Sequence, residues 1–466
     1  MSTETSDRTG AATVAAEDTA SDASLYRAIW RWHFYAGLLV LPFMVWLALT
    51  GGIYLFKDEI NGLLYGDYRT VSPTGEATLP PSEIVARAGA ALGGATAIAY
   101  IPPMAPDRSA QVRVTTAEGE TRVVYVDPTS GTVLGDQADG KFAGSPLMLL
   151  VRKLHSLAYF GEYPSRIIEA VGGFALVLVI TGFYLWWPRG RAGGVVSLRG
   201  KPGRRIFWRD LHAVTGAFAG VLIFFLAITG LPWSGFWGGK VNEYANQAGW
   251  GYPSGYWENI PVSTVPMKDA MTETSWSLEN RPMPASTPNG AATIGLDRAV
   301  AIFTERGIAP GYVVDFPGDE TGVFTASVYP DRIAGERIIH LDQYSGEVLF
   351  DAGFADLGAV GQAIEWGVSV HMGQEFGLAN QLLMLATCLA IIVMSTAAVV
   401  MWWKRRPRGR LGVPPYPENR RVYVVLWSIA VVIGLLFPVT GLAIATMVAL
   451  DLLLIRWVPP LRRAFA

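Results

Sequence analysis

The stretch RDLHAVTGAFAGVLIFFLAITG (Arg209–Gly230) is almost entirely apolar, yet a histidine, His212, stands at its edge. The run is about as long as the ~20 residues that cross a bilayer. The same pattern occurs earlier in the chain. HFYAGLLVLPFMVWLALTG (His33–Gly51) and HAVTGAFAGVLIFFLAITG (His212–Gly230) share H-x3-G-x9-L-A-x-T-G without a gap. Two further matches extend the duplication, a signal that governs the whole architecture. RVVYVDPTSGTVLGD (Arg122–Asp136) aligns with RIIHLDQYSGEVLFD (Arg337–Asp351). His155 and His371 each open H-x4-F-G, and each is followed at the same offset by a tryptophan pair, Trp186-Trp187 and Trp402-Trp403. The repeating unit is therefore span, outer segment, histidine, span.

The surrounding composition agrees. Hydrophobic residues make up 51% of the chain and charged ones only 16%, too apolar a balance for an ordinary soluble protein of 466 residues. Apolar runs at about 34–56, 167–187, 211–233 and 378–403 read as spans, and Val422–Val458, interrupted by Pro438 and Gly441, reads as two short spans joined by a tight turn. Arg27 and Arg31 precede the first span, Arg189, Arg191, Arg199, Lys201, Arg204, Arg205 and Arg209 follow the second, and Lys404, Arg405, Arg406, Arg408 and Arg410 follow the fourth. Basic loops stay in the cytoplasm, so residues ~65–150 and ~235–365 lie outside. The predicted order is a disordered cytoplasmic tail (1–25), first span (26–60), outer domain (61–145), histidine-led helix and second span (146–190), loop (191–208) and third span (209–234). An aromatic-rich segment with a second outer domain (235–357), a histidine-led helix and fourth span (358–404), a loop (405–421), a helical hairpin (422–458) and a short tail (459–466) complete it. The lone cysteine, Cys388, lies in a span, so no intramolecular disulfide is possible.

Each outer segment alternates apolar and polar residues around D-x-x-S-G, a β-hairpin signal, after an amphipathic helical pattern, PPSEIVARAGAAL or GLDRAVAIFTERG. This predicts an α-helical membrane bundle of about six spans with two small α+β domains. The hairpins and histidine-led spans resemble the PepSY-associated transmembrane family of bacterial inner-membrane proteins, over nearly the whole chain after residue 25. The resemblance implies two periplasmic PepSY-like domains and, as in similar ferric-siderophore reductases, b-type haem (heme b) in the membrane.

Four of the five histidines fall at equivalent positions, His33 with His212 and His155 with His371. A single histidine near a span end is ordinarily interfacial. Symmetric pairs at membrane depth are costly and mark function, and neutral imidazole ligates iron. Each pair is expected to clamp one of two haems, the first near the cytoplasmic face and the second near the periplasmic face. The fifth, His340, has Tyr125 as counterpart and reads as a surface or packing residue. Gly37 and Gly216, one turn beyond His33 and His212, either admit a flat macrocycle or allow close helix packing. Gly161 and Gly377 are expected to separate the ligand-bearing helices from the spans that follow. Arg152 is the candidate for a haem propionate, while Arg31 and Arg209 serve equally as membrane anchors. Trp233 and Trp237, just after the third span, read as an interfacial aromatic belt, and the remaining aromatics, Tyr244, Trp250, Tyr252, Tyr256 and Trp257, are expected to wall a substrate site over the outer haem.

Neither G-x-G-x-x-G after a strand nor a P-loop is present, so electrons must come from a separate donor, a cytosolic flavin reductase or membrane quinol. The implied reaction is reduction of a periplasmic ferric siderophore, releasing Fe²⁺; lipid surrounds the spans and nothing points to nucleic acid. Two alternatives stay open: a haem module feeding another periplasmic acceptor, and a cofactor-free PepSY binding protein.

Overall fold

The computed structural model describes residues 4–73, 77–189, 193–252, 260–272, 274–413, 420–450, 457–460 and 463. Arg191, Tyr256, Trp257, part of the 405–421 loop, the end of the 422–458 hairpin and most of the C-terminal tail lie outside them. In chain order the elements are α1 (Glu4–Tyr54), α2 (Lys57–Arg69), α3 (Pro81–Ala91), β1 (Thr96–Ile101), β2 (Ala110–Thr115), β3 (Thr121–Val126), β4 (Val133–Ala138), α4 (Pro146–His155), α5 (Glu162–Trp186), α6 (Arg205–Gly230) and α7 (Trp237–Gln247). They continue as β5 (Val262–Pro266), α8 (Met267–Ala270), β6 (Pro282–Pro284), α9 (Gly295–Glu305), β7 (Val313–Asp315), β8 (Val323–Val328), β9 (Arg337–Asp342), β10 (Val348–Gly353), α10 (Ala359–His371), α11 (Leu378–Arg405), α12 (Arg420–Leu436) and α13 (Pro438–Leu450). The chain divides into two compact units, one made of residues 1–49, 156–238 and 385–466, the other of 50–155 and 239–384.

The first unit is helical. Among the described residues, four helices are long and apolar enough to cross a membrane: Ser24–Tyr54, Glu162–Trp186, Arg205–Trp233 and Leu378–Arg405. The tail expected to be disordered is helical from Glu4 onward; its alanines and glutamates favour helix, against its threonines, serines, aspartates and Gly10. The expected hairpin forms, but α12 and α13 are shorter than a spanning helix over their described residues. They part at Phe437, where Pro438 opens α13 without needing an amide donor. Small residues set the packing. A Cβ on Gly173 of α5 would fall 2.0 Å from Thr440 Oγ1 of α13, and one on Gly441 would fall 2.4 Å from the Cα of Gly434. The break is tied down by Trp237, whose indole Nε1 donates to Leu436 O at 2.7 Å while its ring stacks on Phe437. Buried Glu169 accepts the amides of Phe236 and Trp237, each at 3.1 Å, and so caps α7.

In the second unit the two outer segments share a sheet. One eight-stranded sheet runs β10-β9-β8-β7-β1-β2-β3-β4. Its halves meet where β1 pairs antiparallel with β7, Ala99 opposite Asp315 and Tyr100 opposite Val314. Those two strands are equivalents in the repeat, so each half-sheet covers the other's open edge. Helices α3 and α9 pack on one face, α3 through Ile84 and Ala88 over Val112 and Val124, α9 through Ala299 and Phe303 over Val314, Ala326 and Ile339. The duplication reaches individual contacts. Arg122 pairs with Asp136 as Arg337 does with Asp351. Asp127 and Asp342 cap their turns in the same way, and Gly131 (φ 71°) and Gly346 (φ 74°) supply the left-handed residue. The other sheet face carries a buried polar row. Thr325 bonds His340 at 2.8 Å, Asp315 accepts from Thr272 at 2.6 Å, and Arg113 faces Asp139 at 3.4 Å. His340 is thus a packing residue, not a surface one: it is 0% exposed, as is Tyr125.

Candidate functional site

His33 on α1 and His212 on α6 face each other, with ring centroids 6.2 Å apart and planes at 81°. The duplication predicted this meeting; the hydrogen bonds behind each ring were not predicted. His33 Nδ1 lies 2.9 Å from Thr181 Oγ1 on α5, and that hydroxyl lies 2.7 Å from Val177 O one turn back. The single hydroxyl proton is spent on the Val177 carbonyl, so the Thr181 oxygen accepts and His33 Nδ1 carries the proton. His212 Nδ1 lies 3.0 Å from the main-chain oxygen of Met394 on α11. A carbonyl only accepts, so this Nδ1 is also protonated. Both rings are therefore the tautomer whose lone pair sits on Nε2.

In this tautomer the Nε2 of each ring is an electron-pair donor able to ligate a metal. Two imidazoles binding one metal at the ~2 Å typical of metal–imidazole bonds place their centroids roughly 6 Å apart. Among the described residues no group of three or more His, Cys, Asp or Glu side chains is placed to hold a metal ion. Two nitrogens are too few for a bare transition ion. They are the number a haem iron needs, since the macrocycle fills its other four positions.

The two glycines differ in their surroundings. A Cβ on Gly37 would meet only Leu178, at 3.9 Å, whereas one on Gly216 would press on Met394 Sδ at 3.2 Å. Gly216 therefore serves close packing against α11, the helix whose carbonyl holds His212. Next to Thr181, Gly182 lets the His33 ring lie against α5, since a Cβ there would stand 3.4 Å from His33 Cε1.

The second unit holds the other pair, each at a helix end: His155 closes α4 and His371 closes α10, both half-buried. His155 Nδ1 lies 2.9 Å from Thr50 Oγ1, and a Cβ on neighbouring Gly51 would come 3.2 Å from His155 Cε1. A Thr-Gly pair thus cradles a histidine twice, Thr50-Gly51 for His155 and Thr181-Gly182 for His33. As expected, Gly161 (φ 108°) and Gly377 (φ 60°) separate these helices from α5 and α11.

The charged residues settle into local roles. Arg31 donates to Tyr35 Oη at 2.9 Å, and Arg209 pairs with Asp210 at 3.1 Å. Arg152 lies over the Phe142 ring at 5.6 Å, and its charge, with that of Lys268, partly offsets the desolvation that raises the half-buried Glu279 carboxyl. Asp210, which sequence reading passed over, is fully buried two residues before His212. It takes the Arg199 amide and guanidinium, so it pins the basic loop to the start of α6. Its signal was a lone acid in a run of bases. The aromatics after the third span take different surroundings. Tyr252 packs in the core against Met267 and Phe350, and Trp237 is held by the hairpin, leaving Tyr244 and Trp250 exposed.

No match to the chain is found among curated proteins. A family model described as PepSY-associated TM region matches residues 30–405, a stretch that takes in all four histidines and nearly all of the four candidate spans. With the duplicated span–sheet–histidine order already in view, the chain belongs to the PepSY-associated transmembrane family.

Proposed function

We propose that this membrane protein is a di-haem b-type reductase of the bacterial inner membrane, carrying electrons from the cytoplasmic side to periplasmic ferric siderophores. The observation that carries the reading is the His33/His212 pair, two rings bonded through Nδ1 whose centroids lie 6.2 Å apart, a spacing suited to one iron. Bound haem supplies one-electron chemistry that side chains lack. The residues' part is to hold it: His33 and His212 on one iron, His155 and His371 on the other. Gly37 leaves room at the helix surface, and Arg152 stands beside the second pair in sequence. Each turnover takes one electron from an external flavin reductase or quinol and gives it to one ferric centre. A chelator built for hard Fe³⁺ then releases Fe²⁺.

The test is pigment, then turnover. Purified protein should carry about two haems per chain, and His33→Ala and His155→Ala should each lose about half. Dithionite-reduced protein should be reoxidised by a ferric siderophore with Fe²⁺ appearing in a ferrous trap, and His371→Ala should abolish this while leaving the first haem reducible. Colourless protein would point to a cofactor-free binding role. Pigmented protein inert towards every ferric chelate would point to another periplasmic acceptor.

A further inference from the structure

The helix-borne threonines have no part in the reading above, yet they touch the two histidines most directly. Thr181 and Thr50 each place Oγ1 2.9 Å from a histidine Nδ1, and each precedes a glycine that lets the same ring lie flat against its helix. The two helices are unrelated in the repeat: Thr50 lies in the first span, where its counterpart is Thr229, while Thr181 lies in the second, where its counterpart is Ala397. The same device has therefore been built twice in different places, which close packing alone does not require. At Ala397 the hydroxyl is missing and the partner histidine, His212, turns to a main-chain carbonyl instead.

We propose that Thr181 and Thr50 are positioning residues that fix the tautomer of His33 and His155, so that Nε2 is presented to iron. The proposal rests on the haem reading. Its physical basis is that a ligand histidine whose outer N–H is bonded is held in rotation and is a stronger electron donor to its metal. The hydroxyl of Thr181 accepts because its own proton is committed to Val177 O. The donation from the two faces of the His33/His212 site is also unequal, since a carbonyl accepts on one side and a hydroxyl on the other.

The test compares Thr181→Val, which keeps the branched shape and deletes the acceptor, with Thr181→Ser, which restores it. In the purified full chain, Thr181→Val should keep more haem than His33→Ala and raise the midpoint potential of one haem, with a shifted low-spin ferric spectrum; Thr181→Ser should return both to wild type. Thr50→Val should move the other haem alone. Unmoved potentials in both valine variants, or a serine variant that behaves like valine, would overturn the assignment while the haem reading stands. Wild-type protein without haem would remove that reading and this one together, and pigment is measured first. Should Thr181→Val fail to fold, pulsed ENDOR of the unaltered ferric protein in H₂O and D₂O reads the Nδ1 protons directly. A ligand ring lacking that proton would overturn the proposal equally.

Discussion

His33 and His212 stand almost perpendicular, their ring planes at 81°. Axial imidazoles in crossed planes leave the ferric d orbitals nearly degenerate, and the resulting resonance is extremely anisotropic, with one dominant low-field feature. On the proposed di-haem reading, the haem that His33→Ala removes is the one expected to give that signal. A conventional three-line rhombic spectrum from this haem would mean that the rings turn parallel when the iron is bound.

Burial holds the His340 imidazole down at about 3, against an ordinary 6.5. Between those values the unfolded chain takes up a proton that the folded one refuses, so stability is intact above pH 6.5 and falls as pH drops, by about 1.4 kcal/mol per unit. His340→Tyr, the counterpart residue from the first half, removes this slope. Denaturant unfolding followed by tryptophan fluorescence at pH 7 and 5 should show the wild type losing ground to the variant; equal losses would show that His340 titrates normally.

Glu365 behaves in the opposite sense. Burial raises its carboxyl to about 7 while its oxygen accepts the Trp276 amide at 2.7 Å, with the Glu336 carboxyl, also raised by burial, close by. The folded state holds a proton that the unfolded chain, at 4.5, gives up, so this contribution is complete below pH 4.5 and lost as pH rises through 7. Glu365→Gln keeps the acceptor and removes the charge. It should unfold later than wild type at pH 8 and show no such advantage at pH 4.5, and a pH-independent difference would refute the shift.

Gly173→Ala drives a methyl into Thr440, a stiff β-branched side chain that cannot swing away. Overpacking of this kind costs about 1–3 kcal/mol. Thermal unfolding in detergent should drop accordingly, and Gly173→Ala with Thr440→Ser or Thr440→Ala should recover part of the loss.

Orientation follows from the basic loops. A reporter active only in the periplasm should work when fused after Gly135 in β4 and be silent after Arg199. The reverse pattern would invert the direction of electron flow proposed for the chain.

The repeat made much of this legible beforehand: the four long spans, both hairpin turns, the helix breaks at Gly161 and Gly377 and the meeting of His33 with His212 all follow from matching one half to the other. What stayed hidden depends on how elements turn and pair. Alternation shows that β1 is a strand but not that its edge meets β7. A threonine within an apolar run gives no sign that it faces a histidine, and at Met394 the partner is main chain and has no sequence signal at all. An aromatic run does not show which ring turns inward either: Tyr252, chemically as suited to a core as to a surface, packs in the core.

The seam between β1 and β7 is two residue pairs long and joins each strand to its own counterpart. Such self-complementary contact is the geometry of a symmetric dimer. Were the halves separate chains, closing the seam would depend on their concentration. Covalent fusion replaces that concentration with a fixed local one, so the sheet assembles at whatever copy number the cell maintains, and either half is at liberty to diverge, as Tyr125 and His340 have done, without losing its mate.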